Sequence, residues 1–171
     1  MTAKGHILLA LPFGLLMANS FGMEKMELSI FLALVAMGSL FPDIDEPGSY
    51  IGRRFWFLAW PIKVLSIFIP AFKHRGITHF FFIPVLLMLT SVGLHNVWIG
   101  GFAIGWLMHT VGDLVTIGGI NGYLYPLWPI QKIVLLPNGW RFYTGSFTEK
   151  FIIAFLLFVN GYLILLLGVF K

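Results

Sequence analysis

The chain contains no cysteine. That excludes a disulfide framework, a thiolate metal site and a cysteine nucleophile, so any metal here takes histidine and carboxylate ligands. Charge is scarce as well. Asp, Glu, Lys and Arg make up 11% of the 171 residues, against roughly 25% in a soluble domain. Acids are scarcest: seven Asp plus Glu face 11 Lys plus Arg, for a net charge of +4. The few cations are scattered, which speaks against a nucleic-acid-binding patch. There is no internal repeat and no low-complexity tract.

What fills the space is apolar. Hydrophobic residues account for 58% of the chain, and the mean hydropathy is +0.90. A soluble core this apolar could not cover its own surface. The length suits one compact integral membrane domain over residues 1–171. Five long apolar segments stand out, over residues 6–21, 28–41, 79–94, 98–117 and 147–170. A span takes about 20 apolar residues. The first two are short for that and need flanking residues or local thinning. The expected fold is therefore all-α, a polytopic membrane helical bundle of about five spans.

Residues 55–72 form a sixth apolar stretch, rich in Trp and Phe. It carries Pro61, Lys63 and Pro70 and is edged by Arg53, Arg54, Lys73 and Arg75. That composition predicts an interfacial segment rather than a span. With the N-terminus in the cytoplasm, five spans leave Lys4, Arg53, Arg54, Lys63, Lys73, Arg75, Lys132, Arg141 and Lys150 inside. Only Lys25 and Lys171 lie outside. This is the asymmetry of the positive-inside rule. A sixth span would move Lys132, Arg141 and Lys150 across and weaken it. The first segment also has the outline of a secretory signal, with Lys4 before the apolar run and Ala18-Asn19-Ser20 after it. Pro12 and Gly14 inside the run weigh against that reading.

Local signals refine the picture. Pro42 ends the second helix. Thr78, after Gly76, is the expected N-cap of the third. Ser146-Phe-Thr-Glu149 has the capping-box pattern at the start of the fifth. Apolar runs on either side of Asn138-Gly139 predict a small hairpin within residues 132–143, with Pro137 against it. Gly101 and Gly105 have the spacing of a close helix contact.

The polar residues are few and placed at one level. On the five-span arrangement His6, Asp43, Asp45, His74, Arg75, His79, His109 and Asp113 all fall toward the cytoplasmic side. His109 and Asp113 would lie about 12 and 6 Å from the end of their span at a rise of about 1.5 Å per residue. Ionisable groups inside a membrane normally face a partner or a cavity. His109 and Asp113, four apart, share a helix face. They either grip a cation or make a hydrogen bond that satisfies a buried histidine. Asp43 and Asp45 follow a helix end, which repels carboxylates. Either Arg53 and Arg54 or a divalent metal compensates them. His74 and His79 read as interfacial histidines or as ligands. Arg75, next to a helix start, suits an anion such as phosphate or acts as a membrane anchor. His95, on the other side, receives no role.

A histidine and carboxylate set without cysteine is the palette of hydrolytic zinc, manganese or magnesium sites. A bound ion would lower the pKa of a water and provide a nucleophile at neutral pH. With this many donors, one or two ions fit, and a spare carboxylate serves as general base.

Four blocks carry a family resemblance: "MTAKGH", "LFPDIDEPGSYIGRR", "HRGITH" and "HTVGDLVTIGGINGYLYP". In this order, over about residues 1–150, they resemble the YdjM-like family of bacterial inner-membrane proteins, described as metal-dependent hydrolases. The resemblance implies a multi-pass protein of the inner membrane with a metal centre, and it points to His6, Asp43, Asp45, His74, His79, His109 and Asp113. Two positions depart from the family pattern. Glu46 stands where the family often has His, and Phe80 stands where it often has Ser.

The functional expectation is a metal-dependent hydrolase opening to the cytoplasmic interface. It would act on a phosphoester, a lipid or a lipid-linked phosphate, in contact with membrane lipid. Zinc is the first candidate ion, with manganese or magnesium as alternatives. His6, Asp43, Asp45, His79, His109 and Asp113 are the candidate ligands. His74, Arg75 and Asp45 are the candidate catalytic groups. The alternative is a non-enzymatic protein, a metal carrier or a scaffold in which these residues form a structural network. Clustering on one side argues against a cation pathway, which needs ionisable groups along the depth of the membrane.

Overall fold

The computed structural model describes residues 1–125 and 128–169. Among them, seven α-helices and one short hairpin follow in order. The helices are α1 (Ala3–Ser20), α2 (Lys25–Leu40), α3 (Tyr50–Arg54), α4 (Trp56–Phe68), α5 (Phe82–Gly93), α6 (Val97–Leu114) and α7 (Phe147–Leu166). Strands β1 (Ile120–Tyr125) and β2 (Trp128–Ile133) lie between α6 and α7 and pair antiparallel.

α6 is the centre, with α2, α5 and α1 packed around it and α7 laid against α1. Glycine makes the α2–α6 contact close. A Cβ on Gly105 would sit 2.0 Å from the Val35 carbonyl oxygen, and one on Gly38 would sit 2.0 Å from that of Phe102. Small residues bring two backbones together where lipid supplies no hydrophobic drive between helices. The Gly101–Gly105 spacing is thus used, with Gly101 against the Phe31 ring and Gly38 as the partner across the interface. Ala10, Ala18, Phe31, Val35, Ile104 and Met108 fill the space between the three helices.

The polarity is inverted relative to a soluble domain. Phe68, Phe147 and Leu165 are at least 77% exposed, whereas His6, Asp45, His79, His109 and Asp113 are at most 1% exposed. An apolar exterior around a polar interior is what hydrocarbon solvent demands.

Two stretches are both long and apolar enough to cross a bilayer: Lys25–Asp45, of 21 residues, and Phe147–Leu166, of 20. Among the described residues, length and apolarity together mark these two as candidate spans. α5 has 12 residues, about 18 Å at a rise of about 1.5 Å per residue, since the 3-10 turn Ile77–His79 takes up the residues before it. α4 has 13 residues and is likewise shorter than a span. Residues 170–171, with Lys171 of the charge argument, lie outside the described residues.

Three local expectations change. The hairpin lies at β1 and β2, about a dozen residues before the predicted one. The Asn138-Gly139 segment is a turn, in which Trp140 N donates to Pro137 O. Proline has no N–H to give a ladder there. Thr78 does not cap α5, which starts at Phe82 after Phe81 with no side-chain cap. Only half of the predicted box at α7 forms. Ser146 Oγ accepts from Glu149 N, but the Glu149 carboxylate accepts from Thr2 N and Gly145 N instead. That ties the start of α7 to the start of α1. Pro42 does end α2, and a 3-10 turn over Phe41–Asp45 follows.

Candidate metal centre

Four segments deliver the site. The 3-10 turn Phe41–Asp45 carries Asp43 and Asp45 at the end of α2. A second 3-10 turn, Ile77–His79, carries Thr78 and His79. The last turns of α6 present His109 and, one turn on, Asp113. The first turn of α1 brings His6. Spacing of four on α6 puts His109 and Asp113 on one face, and the close α2–α6 packing holds the Asp43 turn beside that face.

Two carboxylates flank a pair of imidazole nitrogens. His79 Nε2 and His109 Nε2 are 3.1 Å apart. Asp43 Oδ1 is 3.6 Å from each of them. Asp113 Oδ2 is 3.5 Å from His79 Nε2 and 3.9 Å from His109 Nε2. Zinc sits about 2.0–2.1 Å from N and O ligands in tetrahedral sites, which sets neighbouring donors roughly 3.3 Å apart. Among the described residues, two triads have donors all within 4.8 Å of one another: Asp43, His79 and His109, and His6, His109 and Asp113. The residues present therefore fit a divalent ion by both donor type and spacing.

The surrounding bonds fix which nitrogens face inward. His109 Nδ1 lies 2.7 Å from the Ser39 carbonyl oxygen. A carbonyl only accepts, so Nδ1 carries the proton and Nε2 is left for the site. His6 stacks on His109, with ring centroids 3.7 Å apart. Its Nε2 is 3.4 Å from Asp113 Oδ1, and its buried Nδ1 has no hydrogen-bond partner among the described residues.

Asp113 is densely surrounded. Its Oδ1 receives the Met1 α-amine at 2.7 Å, and its Oδ2 receives Arg75 Nε at 3.2 Å. The sequence reading has Arg75 either facing an anion at a helix start or anchoring at the membrane surface. Arg75 instead folds inward, giving its Nη1 to the Gly119 carbonyl at 2.9 Å. The backbone makes that turn with Arg75 at φ 64°, a left-handed conformation that costs a residue with a Cβ and concentrates at functional sites. Gly118 leaves the room: a Cβ there would lie 1.5 Å from Arg75 Nη1.

Asp45 stands one step behind the four donors. Its Oδ1 is 2.7 Å from His74 Nδ1, and its Oδ2 accepts the Thr78 hydroxyl at 2.5 Å. The side chain of His74 is one-third exposed. Burial lowers the His79 pKa, but hydrogen bonds to Asp113 and Asp43 and the charge of Asp45 outweigh it, and the imidazole is raised to about 9. Without a metal, the proton on His79 sits among the carboxylates.

The two departures from the family pattern lie away from the donors. Glu46 pairs with Lys63 at 2.8 Å. Against the opposing effect of burial, Lys63 holds the Glu46 carboxyl below its ordinary range. This bond fastens α4 to the Asp43 turn. Phe80 packs on Phe82, with ring centroids 5.3 Å apart.

Sequence reading missed Thr78, Ser39, Glu149 and the Arg75–Asp113 pair. Thr78 was visible only as a hydroxyl next to His79. Ser39 acts through its carbonyl, which no side-chain pattern reveals.

A family model described as YdjM inner membrane protein matches residues 1–170. The chain is similar to inner membrane protein YdjM of Escherichia coli (strain K12), 29% identical over 169 residues, covering 89% of this chain and 77% of that protein. It is also similar to the uncharacterized protein YvsG of Bacillus subtilis (strain 168), 32% identical over 164 residues, covering 95% of this chain and 93% of that protein. No solved structure matches.

Proposed function

The chain belongs to the YdjM inner membrane protein family, and on that premise we propose that it is a membrane-embedded metal-dependent hydrolase with its site at the cytoplasmic headgroup level. The observation that carries this reading is the approach of Asp43 Oδ1 and Asp113 Oδ2, at 3.5 to 3.9 Å, to His79 Nε2 and His109 Nε2, which lie 3.1 Å from each other. In this reading five segments cross, α1, α2, α5, α6 and α7, with local thinning to accommodate the short α5, the N-terminus inside, and α4 lying in the interface.

Those four residues would hold one divalent ion, zinc before manganese or magnesium, and the bound ion supplies Lewis acidity at neutral pH. The chain's own groups do the rest. Asp45 orients His74 through Nδ1, so that His74 exchanges a proton at Nε2 as general acid and base. Arg75, partly exposed beside Asp113, steadies an anionic oxygen of the substrate. These roles favour a phosphoester, lipid-borne or lipid-linked, approaching from the headgroups. The test is hydrolysis by purified, metal-loaded protein across phospholipids and phosphate esters, beside carboxylic esters and amides. Turnover confined to the last two classes would remove the phosphoester assignment.

One observation favours a structural scaffold. Asp113 already receives the Met1 amine and Arg75, as the acid of a closed structural network would. Elemental analysis of wild type, Asp113→Asn and His79→Ala separates the two readings. A hydrolase centre holds metal that the folded variants lose. A structural network holds none, even after loading with zinc, manganese and magnesium.

A further inference from the structure

Thr78 occupies a forced position in the hydrogen-bond order. Its Oγ1 is 2.5 Å from Asp45 Oδ2 and 3.0 Å from His79 Nδ1. A carboxylate only accepts, so the single hydroxyl proton goes to Asp45. The hydroxyl oxygen then has only lone pairs to offer, and His79 Nδ1 must donate to it. His79 is left with Nε2 directed at His109, Asp43 and Asp113. Asp45 does not reach His79 Nδ1 itself, which lies 3.9 Å from Oδ2. The segment is pinned from α6 as well, since Trp106 Nε1 donates to the Thr78 carbonyl at 2.8 Å. The hydroxyl is therefore held in place by its own backbone, independently of the two groups it connects.

We propose that Thr78 is a positioning residue of the metal centre, relaying the Asp45 carboxylate to His79 Nδ1 and so setting the tautomer, orientation and donor strength of His79 Nε2. The inference rests on the metal reading above and adds to it. Histidine ligands commonly donate their outer N–H to a carboxylate or carbonyl, and losing that partner costs about 10- to 100-fold in metal affinity. Here a threonine hydroxyl stands between. Asp45 thereby serves two histidines at once, His74 directly through Oδ1 and His79 through Thr78. From α2 the Ser39 carbonyl does the same for His109 of α6, so both histidine ligands have their outer nitrogen assigned.

The experiment measures zinc affinity of the detergent-purified full chain by competition with a chromophoric chelator. Visible spectra of the cobalt(II)-loaded protein are recorded in parallel. Thr78→Val keeps the shape and removes the hydroxyl, and Thr78→Ser restores it. The expected result is a loss of about 10- to 100-fold for Thr78→Val with an altered cobalt spectrum, and near wild-type affinity and spectrum for Thr78→Ser. Equal affinity in Thr78→Val and wild type overturns the relay, and so does a Thr78→Ser as weak as Thr78→Val. If Thr78→Val does not fold, Asp45→Asn decides. It keeps an acceptor without the charge, and wild-type affinity and spectrum there overturn the relay. A wild type that takes up no metal removes the metal reading itself and the relay with it, whereas a metal-binding wild type with an indifferent Thr78→Val removes the relay alone.

Discussion

His79 and His109 face each other through their Nε2 atoms at 3.1 Å, each with Nδ1 bonded outward, to Thr78 and to Ser39. Two neutral imidazoles so arranged would oppose lone pairs. A proton or a metal ion has to lie between them, and the carboxylates of Asp43 and Asp113 supply the negative charge for either.

The proton gives the metal-free protein a pH dependence. The His79 pKa is raised from 6.5 to about 9 in the fold. A group raised on folding stabilises fully below its unfolded pKa, and the contribution disappears as pH rises through the folded value. Metal-free protein should therefore lose thermal stability between about pH 6.5 and above 9. Zinc takes the place of that proton, so zinc binding should strengthen with rising pH over the same window. Thermal unfolding in detergent with and without chelator, over a pH series, checks both. A flat metal-free profile would contradict the protonated His79.

The stoichiometry should be one ion. Both ligand triads draw on His109, and its Nδ1 is committed to Ser39, so a single nitrogen serves them. Asp43→Asn and His109→Gln should each abolish retained metal, while His6→Asn should weaken it less, since His6 stands outside the four-donor set. Two equivalents per chain in elemental analysis would rule this arrangement out.

Gly105→Ala should destabilise the bundle by about 1–3 kcal/mol or more, because its Cβ meets the Val35 carbonyl, a backbone atom that moves only with α2. Gly161→Ala on α7 is the control. Nothing lies within 4 Å of its Cβ, and it should be neutral or stabilising by up to about 1 kcal/mol. Melting temperatures in one detergent compare the two, and equal melting temperatures would count against the close α2–α6 approach.

Gly118→Ala should expel Arg75 from Asp113, since a Cβ there occupies the place of the Arg75 head group. Metal binding should survive, because the four donors do not include Arg75. Turnover of an anionic substrate should fall, seen as a higher KM. Unchanged kinetics would separate Arg75 from substrate binding.

Much of this was legible in the sequence for simple reasons. Hydrophobic runs marked α1, α2, α6 and α7, because a helix that faces lipid must be apolar along its length. Pro42 marked the end of α2 through its missing N–H. The spacing of His109 and Asp113 was readable because helical period alone fixes which side chains share a face. The hairpin at residues 120–133, the delayed start of α5 and the inward fold of Arg75 were not readable. Each depends on what packs opposite: the room above Gly118, the tight turn at Gly76, whose Cβ would strike the Ala71 and Lys73 carbonyls, and the backbone of α6.

By itself, then, the sequence determined a helical protein with an apolar exterior, and a small set of histidines and aspartates with no cysteine to compete for a metal. Composition and local period carry that information. Only the tertiary structure decided which of those groups share one point, with Asp43, His79, His109 and Asp113 in front, and Asp45, His74 and Thr78 behind. That ordering arises from hydrogen-bond directions across segments as far apart as 112 residues, and no local pattern encodes the direction of a contact between distant parts of a chain.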